Sequence, residues 1–316
     1  MPQLAGQVPI LKTLNAAAAF QRDHARAILP WALALAVLST MISMVAPSFM
    51  GGSPPPAMGL ALFPLSAVMS LVALPALGSP IDPLAACMLV TASSVAAIGY
   101  WAFLLRRAVG MTDNAALGQD WARLARVFGA IWFLVLILTI AAAIVMGALL
   151  GGAMGAAGIT PAELEAAQGD PFKATALVQQ AMAGTSGLVV WLGLGLFGAG
   201  AAWLFARLAL AGPATIIEAK ATAFGTWSYT KGDGLRIAAI YAAILAPVIA
   251  LMILAQSLAP DAASLNSQAG IDAAVASAPI LLGANAAIIL MQTLVAMPMM
   301  AGAGAFLYRG MKPPGS

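Results

Sequence analysis

Six apolar runs, 28–46, 84–105, 129–150, 187–211, 235–258 and 280–307, constrain this chain more than any motif in it. A helix rises about 1.5 Å per residue, so crossing roughly 30 Å of hydrocarbon takes about 20 apolar residues. Each run is of that order or longer. Their interiors hold no Asp, Glu, His, Lys or Arg; Arg207 and Arg236 stand near the ends of theirs. Composition agrees. The chain is 62% hydrophobic and 8% charged, whereas a soluble domain carries about 25% charged residues to solvate its surface. The expected fold is an all-α membrane protein with about six transmembrane helices. The expected organisation is a cytoplasmic amphipathic segment at 1–27, one six-helix domain at 28–307, and a cytoplasmic tail at 308–316.

Prolines mark the starts and bends. Asp82-Pro83 offers an N-cap followed by proline at the first helical position, and Pro30 falls in the first turn of the first run. Pro247 and Pro298 lie inside runs, where neighbouring helices must satisfy the carbonyls they free. One stretch is ambiguous. Gly59 to Leu77 is apolar but carries Pro64 and Pro75, and residues 60–77 could be re-entrant, interfacial or a seventh span. Charge bias favours six. With six spans, 13 of the 14 Lys and Arg residues fall on one side and only Lys173 on the other, as the positive-inside rule expects. Both termini are then cytoplasmic, and residues 49–83 form an external segment on or dipping into the bilayer. In the external loop 151–186, Thr160-Pro161-Ala162-Glu163 reads as a capping box, and Asp170-Pro171 opens a second short helix.

The second and fourth runs end alike. Trp101-Ala102-Phe103 leads through Arg106 and Arg107 to Gly110; Trp203-Leu204-Phe205 leads through Arg207 to Gly212. A cytoplasmic stretch of some twenty residues follows each, then another span. In the first copy Leu117, Trp121, Leu124 and Phe128 share one helical face, the pattern of an interfacial helix. The second copy runs from Pro213 to Thr230, and Lys231-Gly232-Asp233-Gly234 supplies glycines that can end a helix. The expectation is a parallel pseudo-repeat of span, amphipathic helix and span.

The second copy also carries a resemblance. Arg207-Leu208-Ala209-Leu210-Ala211-Gly212-Pro213-Ala214-Thr215-Ile216-Ile217-Glu218, then Thr226-Trp227-Ser228-Tyr229-Thr230-Lys231-Gly232 and Leu235-Arg236-Ile237, resembles the membrane domain of the glycerophosphoryl diester phosphodiesterase type. That domain is found attached to some of these bacterial enzymes and in stand-alone relatives without the catalytic barrel. Here tryptophan precedes serine, where the pattern has it following. The resemblance covers 187–258 and implies a bacterial inner-membrane protein. It does not bring phosphodiesterase chemistry, because the fused barrel uses acidic metal ligands and catalytic histidines. This chain has a single histidine, His24, and no soluble segment of barrel length.

Candidate sites are few. Nucleic acid is an unfavoured partner, since the basic residues stand singly between apolar runs. The lone cysteine, Cys87, cannot form an internal disulfide, and neither it nor His24 makes a metal site alone. No catalytic residue, metal or cofactor is expected. Within the last two spans Gln256, Asn285 and Gln292 are polar; helix-to-helix hydrogen bonds are the plain reading and a substrate path the sharper one. Gly147, Gly151 and Gly155, like the glycines of 187–200, read as helix-packing positions. The cytoplasmic cluster Arg207, Glu218, Lys220, Trp227, Lys231 and Arg236 is the lipid- or partner-binding candidate, with Glu218 paired to Arg207 or Lys231 and the other basics facing anionic headgroups. Topological anchoring is its plain alternative. The leading expectation is a non-enzymatic protein of envelope or lipid physiology that binds membrane lipids, a protein partner or its own copy. A transporter or lipid-translocating carrier comes next. A lipid-headgroup enzyme would need two of Glu218, Asp233, Asp120 and His24 to converge.

Overall fold

A computed structural model describes residues 8–45, 83–113, 115–167, 177, 180–182, 184–258 and 268–311. These hold helices, turns and irregular segments and no strand. In chain order they are α1 (Ile10–Val45), α2 (Pro83–Ala108), α3 (Leu117–Ala156), α4 (Pro161–Ala166), α5 (Gly184–Leu208), α6 (Ala211–Ile217), a 3₁₀ turn (Gly225–Trp227), α7 (Gly234–Ser257), α8 (Gln268–Met291), a π turn (Gln292–Ala296) and α9 (Met297–Met311). Five stretches are long and apolar enough to cross a membrane: Ile10–Met41, Leu117–Ala156, Thr185–Ile217, Gly234–Ala255 and Ala276–Met311. The chain is a multi-pass helical protein at this level. The remaining expected span coincides with α2, which is helical but not among the five; the side chains of its first turn lie outside the described residues. So do the expected external segment 49–83, apart from Pro83, the helix expected at Asp170-Pro171, and the side chains of Cys87 and Gln256.

Two expected junctions are absent. The N-terminal amphipathic segment and the first span are one 36-residue helix, and Pro30 sits in its middle rather than in a first turn. The reason is a continuous contact stripe: Thr13, Ala17, Ile28, Ala32, Leu35 and Ser39 are buried along one face, at helical spacing. That face packs chiefly on α9 and then on α2. Likewise the amphipathic helix of the first copy does not stand apart. Leu117 to Phe128 runs straight into the third span within the 40 residues of α3. Gly129 does not break it, because one glycine in a helix interior costs only about 1 kcal/mol.

Other local signals hold. α2 begins at Pro83. Gly110 adopts φ +85°, and the Met111 and Gly110 amides bond to the Arg106 and Arg107 carbonyls, closing α2 with a Schellman motif. Thr160 and Glu163 form the reciprocal capping box of α4. The Thr160 amide donates to the Glu163 carboxylate at 2.7 Å and, as the larger cause ahead of the Thr160 hydroxyl, holds its pKa below the usual glutamate range.

Pro298 explains the π turn. Lacking an N–H, it leaves the carbonyls four and five residues back without helical partners. Gln21 Nε2 donates to the Leu294 carbonyl at 3.4 Å, and the Tyr100 hydroxyl donates to the Thr293 carbonyl at 2.7 Å. Two neighbouring helices thus satisfy the break, as burial away from water requires.

The chain divides into two compact units, 1–133 with 205–316, and 134–204. The first has a core that includes Ile28, Leu104, Leu105, Leu124, Leu210, Ile237, Ile240, Met297 and Leu307. Its close approaches fall at glycines. A Cβ at Gly302 would meet Phe20 at 3.0 Å, and one at Gly212 would meet Leu105 at 2.9 Å. The second unit packs a small core around Ala153, Ile159, Ala181 and Val190. Here the packing expectation is corrected. Gly147, Gly151, Gly155, Gly195, Gly198 and Gly200 have nothing within 4 Å of an added Cβ, because no described part of the chain covers their faces. Gly193 does have a close neighbour, with Leu149 at 2.6 Å.

Candidate functional site

Each of the two stretches that the sequence pattern pairs has a buried arginine that ties its loop to the preceding helix. In the first, Arg106 at the end of α2 donates Nη2 and Nε to the Asp113 carbonyl at 3.1 and 3.3 Å. It also forms short ion pairs with the Asp113 and Asp120 carboxylates. The other oxygen of Asp120 accepts from Arg123 at 2.8 Å. Arg106 and Asp120 are both buried, so each charge offsets the desolvation of the other.

In the second copy Arg207, near the end of α5, is also buried. Its Nε donates to the Thr230 hydroxyl at 3.1 Å and its Nη2 to the Trp227 carbonyl at 2.6 Å, while the guanidinium lies 4.5 Å from the Trp227 ring centre. Between these anchors the chain does not form the expected amphipathic helix. α6 spans seven residues and is capped by Glu218, after which Ala219 turns into the left-handed region at φ +52°. The Thr215 hydroxyl donates to the Ala211 carbonyl at 2.7 Å and accepts from the Thr222 amide at 3.1 Å, pinning the returning strand of the loop. The threonine that bonds back to the loop favours a turn over a longer helix.

This loop borders an open cleft of about 400 Å³ lined by Glu218, Lys220, Thr222, Phe224, Gly225 and Tyr229, among others. Glu218 is mostly sheltered. One of its oxygens pairs with Lys220 at 3.0 Å and the other accepts from the Tyr308 hydroxyl. The Tyr229 and Tyr308 rings lie 6.3 Å apart behind it. Lys220, whose side chain is 70% exposed, is therefore a cation that Glu218 holds, and Lys231 is exposed. Arg236 pairs with Asp233 at 3.6 Å and keeps a 42% exposed side chain.

Of the six predicted cluster residues, Arg207 and Trp227 form one contact and Glu218 and Lys220 another, while Lys231 and Arg236 flank them in sequence. The sequence reading missed Thr230, Tyr308, Phe224 and Tyr229. Tyr308 lies 90 residues from Glu218 and no local signal links the two. Thr230, three residues after Trp227, is an ordinary turn position by type. The four groups of which an enzyme would need two to converge have these contacts: Asp120 with Arg106 and Arg123, Asp233 with Arg236, Glu218 with Lys220 and Tyr308, and His24 Nδ1 with the Phe20 carbonyl at 3.0 Å. Among the described residues no group of three or more His, Cys, Asp or Glu is placed to hold a metal. Of the intramembrane polar residues, Asn285 is half-buried; Gln292 is buried in the π turn, and its Oε1 has no hydrogen-bond partner.

Fold and loop together define a class, an all-helical multi-pass protein with a structured, charged loop face. Compared with known protein families, curated proteins and solved structures, the chain matches none.

Proposed function

We propose that this chain is a non-enzymatic inner-membrane protein of bacteria that binds anionic lipid headgroups at its cytoplasmic face. The observation that supports it is the loop after α5. A buried arginine anchors it, it carries exposed Lys220 and Lys231, half-exposed Phe224 lines the same cleft as Lys220, and partly exposed Arg236 follows in the first turn of α7. Cations next to an exposed aromatic suit a headgroup region, where each basic residue contributes on the order of 1 kcal/mol. The resemblance of 187–258 to a bacterial membrane domain supports the same location.

The test is native mass spectrometry of the protein released from nanodiscs containing phosphatidylglycerol and phosphatidylcholine. The expected result is retention of the anionic lipid, lost when Lys220, Lys231 and Arg236 are all changed to Gln. Equal retention of both lipids by the unaltered protein contradicts the proposal.

A carrier reading has one observation in its favour, the unpartnered Gln292 oxygen in a broken helix. In proteoliposomes, Gln292→Leu abolishes substrate movement if the protein is a carrier and leaves lipid retention untouched if it is not.

A further inference from the structure

We infer that the cleft behind Lys220 selects a zwitterionic headgroup that carries a primary ammonium and a phosphate a few bonds apart. The inference rests on the membrane-face reading above and names the ligand class for one site within it.

The cleft presents one acid and one base at a fixed separation in sequence. Glu218 is sheltered, with only 13% of its side chain exposed, and is braced from behind by Tyr308; Lys220 is open to solvent. A purely anionic phosphate would approach Lys220 but meet the Glu218 carboxylate in the same cleft. A purely cationic ligand would meet the reverse. A ligand bearing both charges resolves the conflict by exchange. Its ammonium takes the position of the Lys220 ammonium on Glu218, and the lysine, on its flexible stem, swings to the phosphate. The member of the pair that must move, Lys220, is the exposed one, so its ammonium can leave Glu218 without being buried.

Three further features fit. Tyr229 and Phe224 line the cleft with aromatic surface, which attracts an alkylammonium and packs its methylenes. The volume of about 400 Å³ lies within the range of small-molecule sites. Ala219, between the acid and the base, holds a left-handed backbone that costs a non-glycine residue energy. Such strain persists where surrounding contacts enforce it, here the Tyr308 bond before it and the Thr215–Thr222 bond after it. The backbone positions from which the acid and the base reach each other are therefore set by the turn at Ala219.

The test uses the full chain in nanodiscs with equal parts of ethanolamine, choline and glycerol phospholipids, followed by native mass spectrometry of the retained lipid. The expected result is enrichment of the ethanolamine lipid over the choline lipid by about fivefold or more, falling to near unity in Glu218→Gln. Glycerol-lipid retention rises in that variant, because the carboxylate that pairs with Lys220 and repels an anionic phosphate is gone. Tyr308→Phe, which keeps the ring and removes the brace, lowers the enrichment by a smaller factor and serves if Glu218→Gln does not fold. Adding soluble phosphoethanolamine separates the sources: displacement of the retained lipid assigns the site to the free headgroup, and persistence assigns it to the membrane lipid. No ethanolamine preference in the unaltered protein, or a preference that survives both variants, overturns the inference. Glycerol-lipid retention in the same spectra reports separately on the broader proposal.

Discussion

The two buried arginines solve one problem with different chemistry. Arg106 is held by carboxylates, Asp113 and Asp120, with Arg123 adding a second cation on Asp120. Arg207 is held through the Thr230 hydroxyl, the Trp227 carbonyl and the Trp227 ring. Both tie the loop that follows a long helix to the helix itself. The first does so by an ion-pair network that draws the next helix in directly, so that α3 starts nine residues after α2 ends. The second spans a longer excursion of turns and leaves Glu218, Lys220 and the cleft beside it. The first loop is built as a joint, and the second as a surface.

The strongest way to break this comparison is Asp120→Ala. It removes the buried counter-ion of Arg106 and leaves only the exposed Asp113, and the loss should be about 3–5 kcal/mol, measured by thermal or denaturant unfolding in detergent. Replacing both partners, Arg106→Met with Asp120→Leu, should recover much of it, since a matched apolar pair leaves no stranded charge. A double variant as unstable as Asp120→Ala would mean the network is not what holds the first loop.

Thr230→Val removes the acceptor of Arg207 Nε but spares the Trp227 contacts. The expected cost is about 1.5–3 kcal/mol, with a rise in tryptophan solvent exposure seen by fluorescence quenching. An effect equal to that of Asp120→Ala would erase the distinction between the two anchors. Ala219→Gly is the mildest change. Relief of the left-handed strain should raise stability by up to about 1 kcal/mol while loosening the spacing of Glu218 and Lys220. The ethanolamine preference should then fall although the protein is no less stable.

Away from both anchors, the α4 cap depends on pH. Glu163 has a lowered pKa, so its contribution is present above the usual glutamate range and is lost as pH falls through the lower folded value. Protection of the Glu163 amide, taken relative to its intrinsic exchange rate at each pH, should fall only at that acidic end.

Much of the fold was legible because its determinants are local. Run length marked the long helices, Pro83 marked the start of α2, and the Thr160-to-Glu163 spacing marked a capping box. What failed was judged by local pattern yet decided by tertiary contact. Residues 10–27 look like a surface helix, but α9 lies against their apolar stripe through Gly302 and Phe20, which prolongs the first span. Pro30 looks like a helix start, but a proline can be accommodated inside a helix that neighbours hold. The glycines that do allow close approach, Gly212 and Gly302, were less conspicuous in sequence than the spaced series from Gly147 to Gly155, which meets open space. At the site, residue types identified Arg207, Glu218 and Trp227. The loop's shape came from a left-handed alanine and a tyrosine 90 residues away, and neither has a sequence signal.

The most direct test of the account replaces Cys87 with serine and introduces one cysteine at a time, at Lys220 or at Glu165, in membrane vesicles of known orientation. A membrane-impermeant maleimide should label Lys220→Cys only from the cytoplasmic side and Glu165→Cys only from the opposite side. Labelling of both from the same side would contradict the placement of the charged loop face on which the proposed function depends.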